Sequence, residues 1–268
     1  MKIDFVSDLH YDCWEEFQRW GWLKTQESDF IIVAGDIADT IEECATGLEK
    51  IAEVYKHVYF VDGNHEYQSN RFATRLIQQE LIKYIECFPN ITYVPENLTK
   101  IETDDGVVGI VGVCGFWDFT FGDVDPDECA KNFWKRERWH EVKNGEVDFK
   151  VVKRNFELLA SEDALSLQRQ ISTIYDNVDE IIVATHVTCH PGMCTIYYPG
   201  PEIRYGCYGN PYFMGLAEKY SDKIVYWISG HSHDKRSFDD HGIKFLSNPR
   251  GRPGDFNRAH FSIETLII

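Results

Sequence analysis

Seven short apolar runs, at 3–6, 30–34, 57–61, 107–113, 180–184, 223–228 and 243–246, constrain this chain more than any other feature. They are rich in Val, Ile and aromatic residues, and most stop at a Gly or a polar residue. Near-continuous apolar runs of this length suit β-strands covered on both faces; half-solvated strands would alternate. Helical patterns at 14–24, 41–55 and 71–87 follow the first three runs, so the N-terminal third reads β-α-β-α-β-α. The stretch 260–268 opens with apolar/polar alternation and reads as a final strand. The expected class is α/β.

The middle of the chain has a different texture. Aromatic residues cluster at Phe116, Trp117, Phe119, Phe121, Phe133, Trp134 and Trp139, and an amphipathic pattern follows at 162–174. This reads as a mostly helical insertion or cap, at about 116–175, within a single domain spanning 1–268. Trp117, Phe119 and Phe121 either pack that cap onto the core or offer faces for stacking on a base. The segment 191–211, rich in Gly, Pro and Tyr, reads as a long loop, a type of segment that often carries function.

The loops after the apolar runs hold the chemistry. The first run is followed by Ser7-Asp8-Leu9-His10, the second by Gly35-Asp36-Ile37-Ala38-Asp39, and the third by Gly63-Asn64-His65-Glu66. Later runs are followed by Thr185-His186 and by Gly230-His231-Ser232-His233. In open α/β sheets ligands bind at the carboxyl ends of strands, so these five loops can converge. Asp8, His10, Asp36, Asn64, His186, His231 and His233 together supply carboxylate, amide and imidazole donors. Such a set suits manganese, iron, zinc or nickel better than a thiolate-preferring ion. A carboxylate such as Asp36 can bridge two cations, and two cations roughly 3.5–4 Å apart can clamp both sides of an in-line displacement at phosphorus.

Taken in order, Asp8-x-His10, Gly35-Asp36, Gly63-Asn64-His65-Glu66, His186 and Gly230-His231-Ser232-His233 resemble the calcineurin-like metallophosphoesterase superfamily. The resemblance implies an α/β fold of four layers, an αββα sandwich of two mixed β-sheets flanked by helices. It implies a dinuclear centre with a bridging hydroxide, in which Asp8, His10, Asp36 and His233 hold one divalent transition metal. Asp36, Asn64, His186 and His231 would hold the other. Manganese is the first expectation, with iron, zinc or nickel as alternatives. By the same resemblance His65 faces the substrate without binding metal, and Asp39 orients it, since a carboxylate fixes an imidazole tautomer and raises its basicity.

The resemblance has a branch. Phosphoprotein phosphatases of this superfamily carry Arg where this chain has Thr40. Asn-His-Glu with Gly-His-x-His, and the later Asn248-Pro249-Arg250-Gly251, look more like the bacterial and phage phosphodiesterases. The implied activity is hydrolysis of a phosphate ester, with a small nucleotide-like phosphodiester as the expected substrate. Alternatives are a phosphomonoesterase, a DNA-repair-type nuclease, and a scaffold that kept the fold and lost catalysis.

Charge bears on partners. Lys+Arg is 27 and Asp+Glu is 44, a formal charge of −17. So acidic a surface repels a polyphosphate backbone, which disfavours nucleic acid and favours a small phosphate-ester partner. No run nears the ~20 apolar residues that span a bilayer, so no membrane partner is expected. With no secretion signal at the N-terminus and eight scattered cysteines, a cytoplasmic chain with reduced thiols is expected. His57, His140, His241 and His260 lack a metal-like context, and His190 reads as a loop cap or pocket residue. Glu66 reads as a loop anchor and Asp12 as a helix-opening acid. Arg204, Tyr205, Arg250 and Arg252 are candidates for contact with phosphate or base.

Overall fold

The structure is a computed structural model that describes residues 1–67, 74–122, 124–136, 148–194, 202–255 and 261–268, without the side chains of 74–77, 136 and 202–204. Trp139, His140, His260 and the side chain of Arg204 therefore lie outside the described residues. The first strands are β1 (Lys2–Val6), β2 (Phe30–Ala34), β3 (His57–Val61) and β4 (Ile91–Tyr93). Then come β5 (Thr99–Thr103), β6 (Gly106–Val113), β7 (Glu180–Thr185), β8 (Ile224–Ser229), β9 (Arg236–Asp240) and β10 (Ile243–Ser247), before β11 (Glu264–Ile267). The helices are α1 (Ile41–Ala52), α2 (Thr74–Ile85), α3 (Pro126–Arg136), α4 (Phe149–Ile174) and α5 (Phe213–Lys219).

The strands form two mixed sheets, ordered β11-β1-β2-β3-β4 and β5-β6-β7-β8-β10-β9. In the first, β1 to β4 run parallel and β11 pairs antiparallel with β1. In the second, β6, β7, β8 and β10 are parallel, and the flanking β5 and β9 are antiparallel.

Alternation along the strands builds the layers. Ile3, Phe5, Ile32, Ala34, Tyr59 and Val61 face the other sheet and pack with Val108, Ile110, Ile182, Ala184 and Ile228. Their neighbours Ile31, Val33, Val58 and Phe60 belong instead to the core that includes Leu48, Ile51 and Leu81 of the helices. Both faces of the central strands are buried, which is why the sequence shows continuous apolar runs. Truncating a residue such as Ile32 at this interface should cost about 2–5 kcal/mol. The result is the expected αββα sandwich.

Three strands escape the apolar-run reading. β5 (TKIET) and β9 (RSFDD) are the edges of the second sheet, and β4 is an edge of the first. Charged edge strands discourage pairing with another chain, so they lack the signal that marks the centre. The expected helix at 14–24 is also corrected. The segment forms 3-10 turns, Glu16–Gln18 and Gly21–Thr25. Its carbonyls are engaged by side chains: Arg19 Nε donates to Trp14 O, Trp22 Nε1 to Arg19 O, and Arg250 to both Arg19 O and Gln18 O. Those acceptors would otherwise serve an α-helical ladder.

Thr40 has its own structural task. Its Oγ1 accepts from Glu43 N at 3.2 Å and donates to the Glu43 carboxylate at 2.9 Å, capping α1. Trp117, Phe119 and Phe121 are buried. Trp117 and Phe119 meet Phe133 and Phe156 ring to ring, so the base-stacking reading of these aromatics falls. Among the described residues no helix is long and apolar enough to cross a membrane.

Candidate metal centre

The parallel strands deliver their polar loops to one place. Parallel pairing carries on past the strand ends, with Asp8 N donating to Gly35 O and His10 N to Asp36 O. In the second sheet Gly230 N donates to His186 O, and Asn248–Gly251 threads across to Ser7 and Asp8 through Ser7 N→Asn248 O and Gly251 N→Asp8 O. That last segment joins the two sheets at the end where the loops emerge.

The side chains gather in two groups that share Asp36. Asp8, His10, Asp36 and His233 each bring a ligand atom within 4.8 Å of the others, and so do Asp36, His186 and His231. The Asp36 Oδ2 atom lies 3.2 Å from His186 Nε2 and 3.7 Å from His10 Nε2, between the groups. His10 Nε2 and His233 Nε2 face each other at 3.0 Å, and Asn64 Oδ1 sits 3.2 Å from His186 Nε2. All seven expected ligands thus meet. His65 stands beside them, with Nδ1 donating to Asp39 at 2.7 Å and Nε2 3.9 Å from Asp36 Oδ2.

Ionisation follows from this crowding. Burial opposes charge on Asp8 and Asp36, yet the His233 and His186 rings hold both carboxyls below their ordinary range. Burial likewise works against charge on His186 and His233. Asp36 nonetheless pushes His186 up to about 10, while Asp255 and Asp8 push His233 up to about 9. Burial wins at His10 and His231, both pushed down to about 3. Two fully buried carboxylates, Asp8 and Asp36, beside converging ring nitrogens are costly unless a cation compensates them. The donor set therefore fits divalent metal ions, whose binding would displace the protons of His186 and His233.

The backbone is strained where the candidate ligands sit. Among the described residues seven non-Gly positions have positive φ, and five are Asp8, His10, Asp36, His231 and His233. Strain of this kind concentrates at functional sites. The glycines beside them are there for space: a Cβ on Gly63 would lie 2.2 Å from Asp36 Oδ1, and one on Gly230 would lie 2.4 Å from Asp8 Oδ2.

A family model described as calcineurin-like phosphoesterase matches residues 1–235. The chain belongs to the calcineurin-like phosphoesterase family. A curated relative, uncharacterized protein L509 of Acanthamoeba polyphaga mimivirus, is 22% identical over 99% of this chain and 98% of its own. Among solved structures, phosphopantetheinyl hydrolase (PptH) from Mycobacterium tuberculosis matches with a TM-score of 0.76 and 18% identity, covering 99% of this chain and 95% of its own. TT1561 of Thermus thermophilus matches with a TM-score of 0.53 and 11% identity, covering 99% and 97%.

Further residues orient the imidazoles, and the motif reading missed them. His233 Nδ1 donates to Asp255 at 2.6 Å. His186 Nδ1 donates to Ala34 O at 2.9 Å, and His231 Nε2 to Cys207 O at 3.0 Å. In each ring the other nitrogen is left to face the cluster. Trp117 stacks on His231 at 4.9 Å. Glu66 anchors its loop as expected: its carboxylate accepts from Asp36 N, Ile37 N and Gly63 N. Of the candidate phosphate contacts, Arg250 is buried on backbone carbonyls and lies over Trp14, which removes it from the list. Tyr205 meets Tyr208, and Tyr208 meets His231. Arg252 reaches the His65 ring. His190 caps the turn Pro191–Met193 by accepting from Gly192 N.

Proposed function

We propose that this chain hydrolyses phosphate esters with two divalent metal ions, one held by Asp8, His10, Asp36 and His233, the other by Asp36, Asn64, His186 and His231. The observation that carries the reading is the convergence of two ligand groups on the shared carboxylate of Asp36. Ions bound there supply Lewis acidity at the phosphoryl oxygens and activation of water as nucleophile. The chain's own residues do the rest. Asp39 fixes the His65 tautomer by accepting from Nδ1, which leaves Nε2 directed at the cluster. Burial lowers the proton affinity of His65, but Asp36 and Asp39 raise it above the ordinary imidazole value. His65 is thus placed to pass a proton to the leaving oxygen.

A small phosphodiester is the favoured substrate because the formal charge of −17 works against a polyanion. Manganese is the first ion to try, given the oxygen and nitrogen donors. The test is hydrolysis of bis- and mono-p-nitrophenyl phosphate by manganese-loaded protein. A phosphopantetheinyl ester belongs on the panel because a neighbour of the same fold is named for that group. Turnover of either chromogenic ester is expected; none in metal-loaded protein sinks the reading. His65→Ala should lower kcat by about 10²–10⁴-fold with metal content unchanged.

A further inference from the structure

Arg252 Nη2 lies 3.1 Å from His65 Nε2 and 3.2 Å from His65 Nδ1. An atom in the ring plane, nearly equidistant from both nitrogens, would collide with the Cε1 between them. Nη2 therefore lies over the face of the imidazole, and the in-plane direction of Nε2 stays open toward the cluster. Arg252 Nε is buried with no hydrogen-bond partner, and among the described residues no carboxylate pairs with the guanidinium. In a chain of formal charge −17, a half-buried Arg without a carboxylate is out of keeping with its surroundings. It is held there by its backbone: Arg252 N donates to Asp255 Oδ2 at 2.7 Å, and the same oxygen accepts from His233 Nδ1. The cation is thus tied by two hydrogen bonds to a ring of the cluster, and it faces the ring on the opposite flank.

We infer that Arg252 is a phosphoryl-binding residue, forming with His65 a subsite for a non-bridging oxygen of the substrate phosphate. The inference rests on the phosphoesterase reading for its substrate class. It names the residue that grips the group beyond the metal ligands. A guanidinium is a planar fork for two oxygens. The contact of Nη2 with the His65 face positions the fork while leaving its second amino group for the ligand. Among the described residues no carboxylate forms a direct ion pair with the guanidinium; Asp39, bonded to the far side of His65, feels its charge without pairing with it.

The test is calorimetric titration of inorganic phosphate into manganese-loaded wild type, Arg252→Ala and Arg252→Lys, with metal stoichiometry measured for each. Arg252→Ala should bind phosphate about 10–100-fold more weakly with full metal content. Arg252→Lys should recover part of the loss, since it keeps the charge and not the fork. Phosphate affinity equal to wild type in Arg252→Ala overturns the inference. So does a parallel loss of metal in both variants, which would make Arg252 a prop for the Asp255 loop. Wild type that binds phosphate through Arg252 yet turns over no ester would sink the hydrolase reading and leave the subsite standing.

Discussion

His233 turns Nε2 toward Asp8 because its Nδ1–H is held by Asp255 at 2.6 Å. A carboxylate in that position fixes the tautomer and makes the ring a better donor to metal. Asp255→Ala should therefore weaken manganese binding about 10–100-fold, while His190→Ala, far down the neighbouring turn, should not. Metal titration of the two variants checks this, and unchanged affinity in Asp255→Ala refutes the role. Nothing in the sequence marks Asp255. It lies 22 residues past His233, beyond the Asn248–Gly251 segment and outside any motif of its own. The convergence of the seven candidate ligands was legible because each lies within a few residues of a strand end and strand ends converge in parallel sheets. Arg250 and Arg252 looked alike in sequence, and only packing separates them. One donates to the carbonyls of Gln18 and Arg19; the other lies against His65.

At the scale of elements, the loops after β2 and β3 are held by one side chain. Glu66 accepts from three backbone N–H groups, and Asp36 Oδ1 accepts from His65 N at 2.8 Å. Glu66→Ala leaves three buried donors without a partner, at about 1–3 kcal/mol each, and should be the least stable single variant of these loops. Glu66→Gln keeps one acceptor and should fall between it and wild type in denaturant midpoint. On the other sheet Asp163 of α4 accepts from Gly115 N and Phe116 N at 2.8 and 2.9 Å. Burial pushes its carboxyl up to about 7. A raised folded pKa means that the neutral acid is the form the fold favours. Its stabilising contribution is complete below about pH 4 and declines as pH rises toward 7. Asp163→Asn should flatten the fall of Tm across that window and raise Tm at about pH 8, since the amide oxygen still accepts both N–H groups. A steeper fall in the variant would reverse the assignment. The central strands were legible as continuous apolar runs for the same reason that they are stable: both faces are covered. The segment 14–24 was not, because its carbonyls answer to side chains, Arg19 and Trp22 within the segment and Arg250 from far along the chain, and no periodic pattern encodes that.

At the scale of the whole molecule the ligand groups straddle the sandwich. Asp8, His10, Asp36 and Asn64 follow strands of the first sheet, and His186, His231 and His233 follow strands of the second. Below them the sheets are joined by apolar packing; at this end they are joined by Asp8 accepting from His231 N and by the Asn248–Gly251 crossing. Cations bound here would couple the two sheets and relieve the repulsion between Asp8 and Asp36 in the same step. They would bind the folded chain and not the unfolded one, so stability should rise by mass action, about 2.7 kcal/mol per site at a hundredfold excess over Kd. For a domain of this size about 2–4 °C of Tm accompanies each kcal/mol. Scanning calorimetry should show Tm falling by about 10–20 °C when a chelator strips both sites, and recovering on addition of manganese. Asp36 serves both groups, so Asp36→Asn should lose the metal-dependent increment almost entirely, while His186→Ala, which depletes one group, should keep part of it. A Tm indifferent to chelator and manganese would mean that the two sheets meet at this end without a metal to hold them.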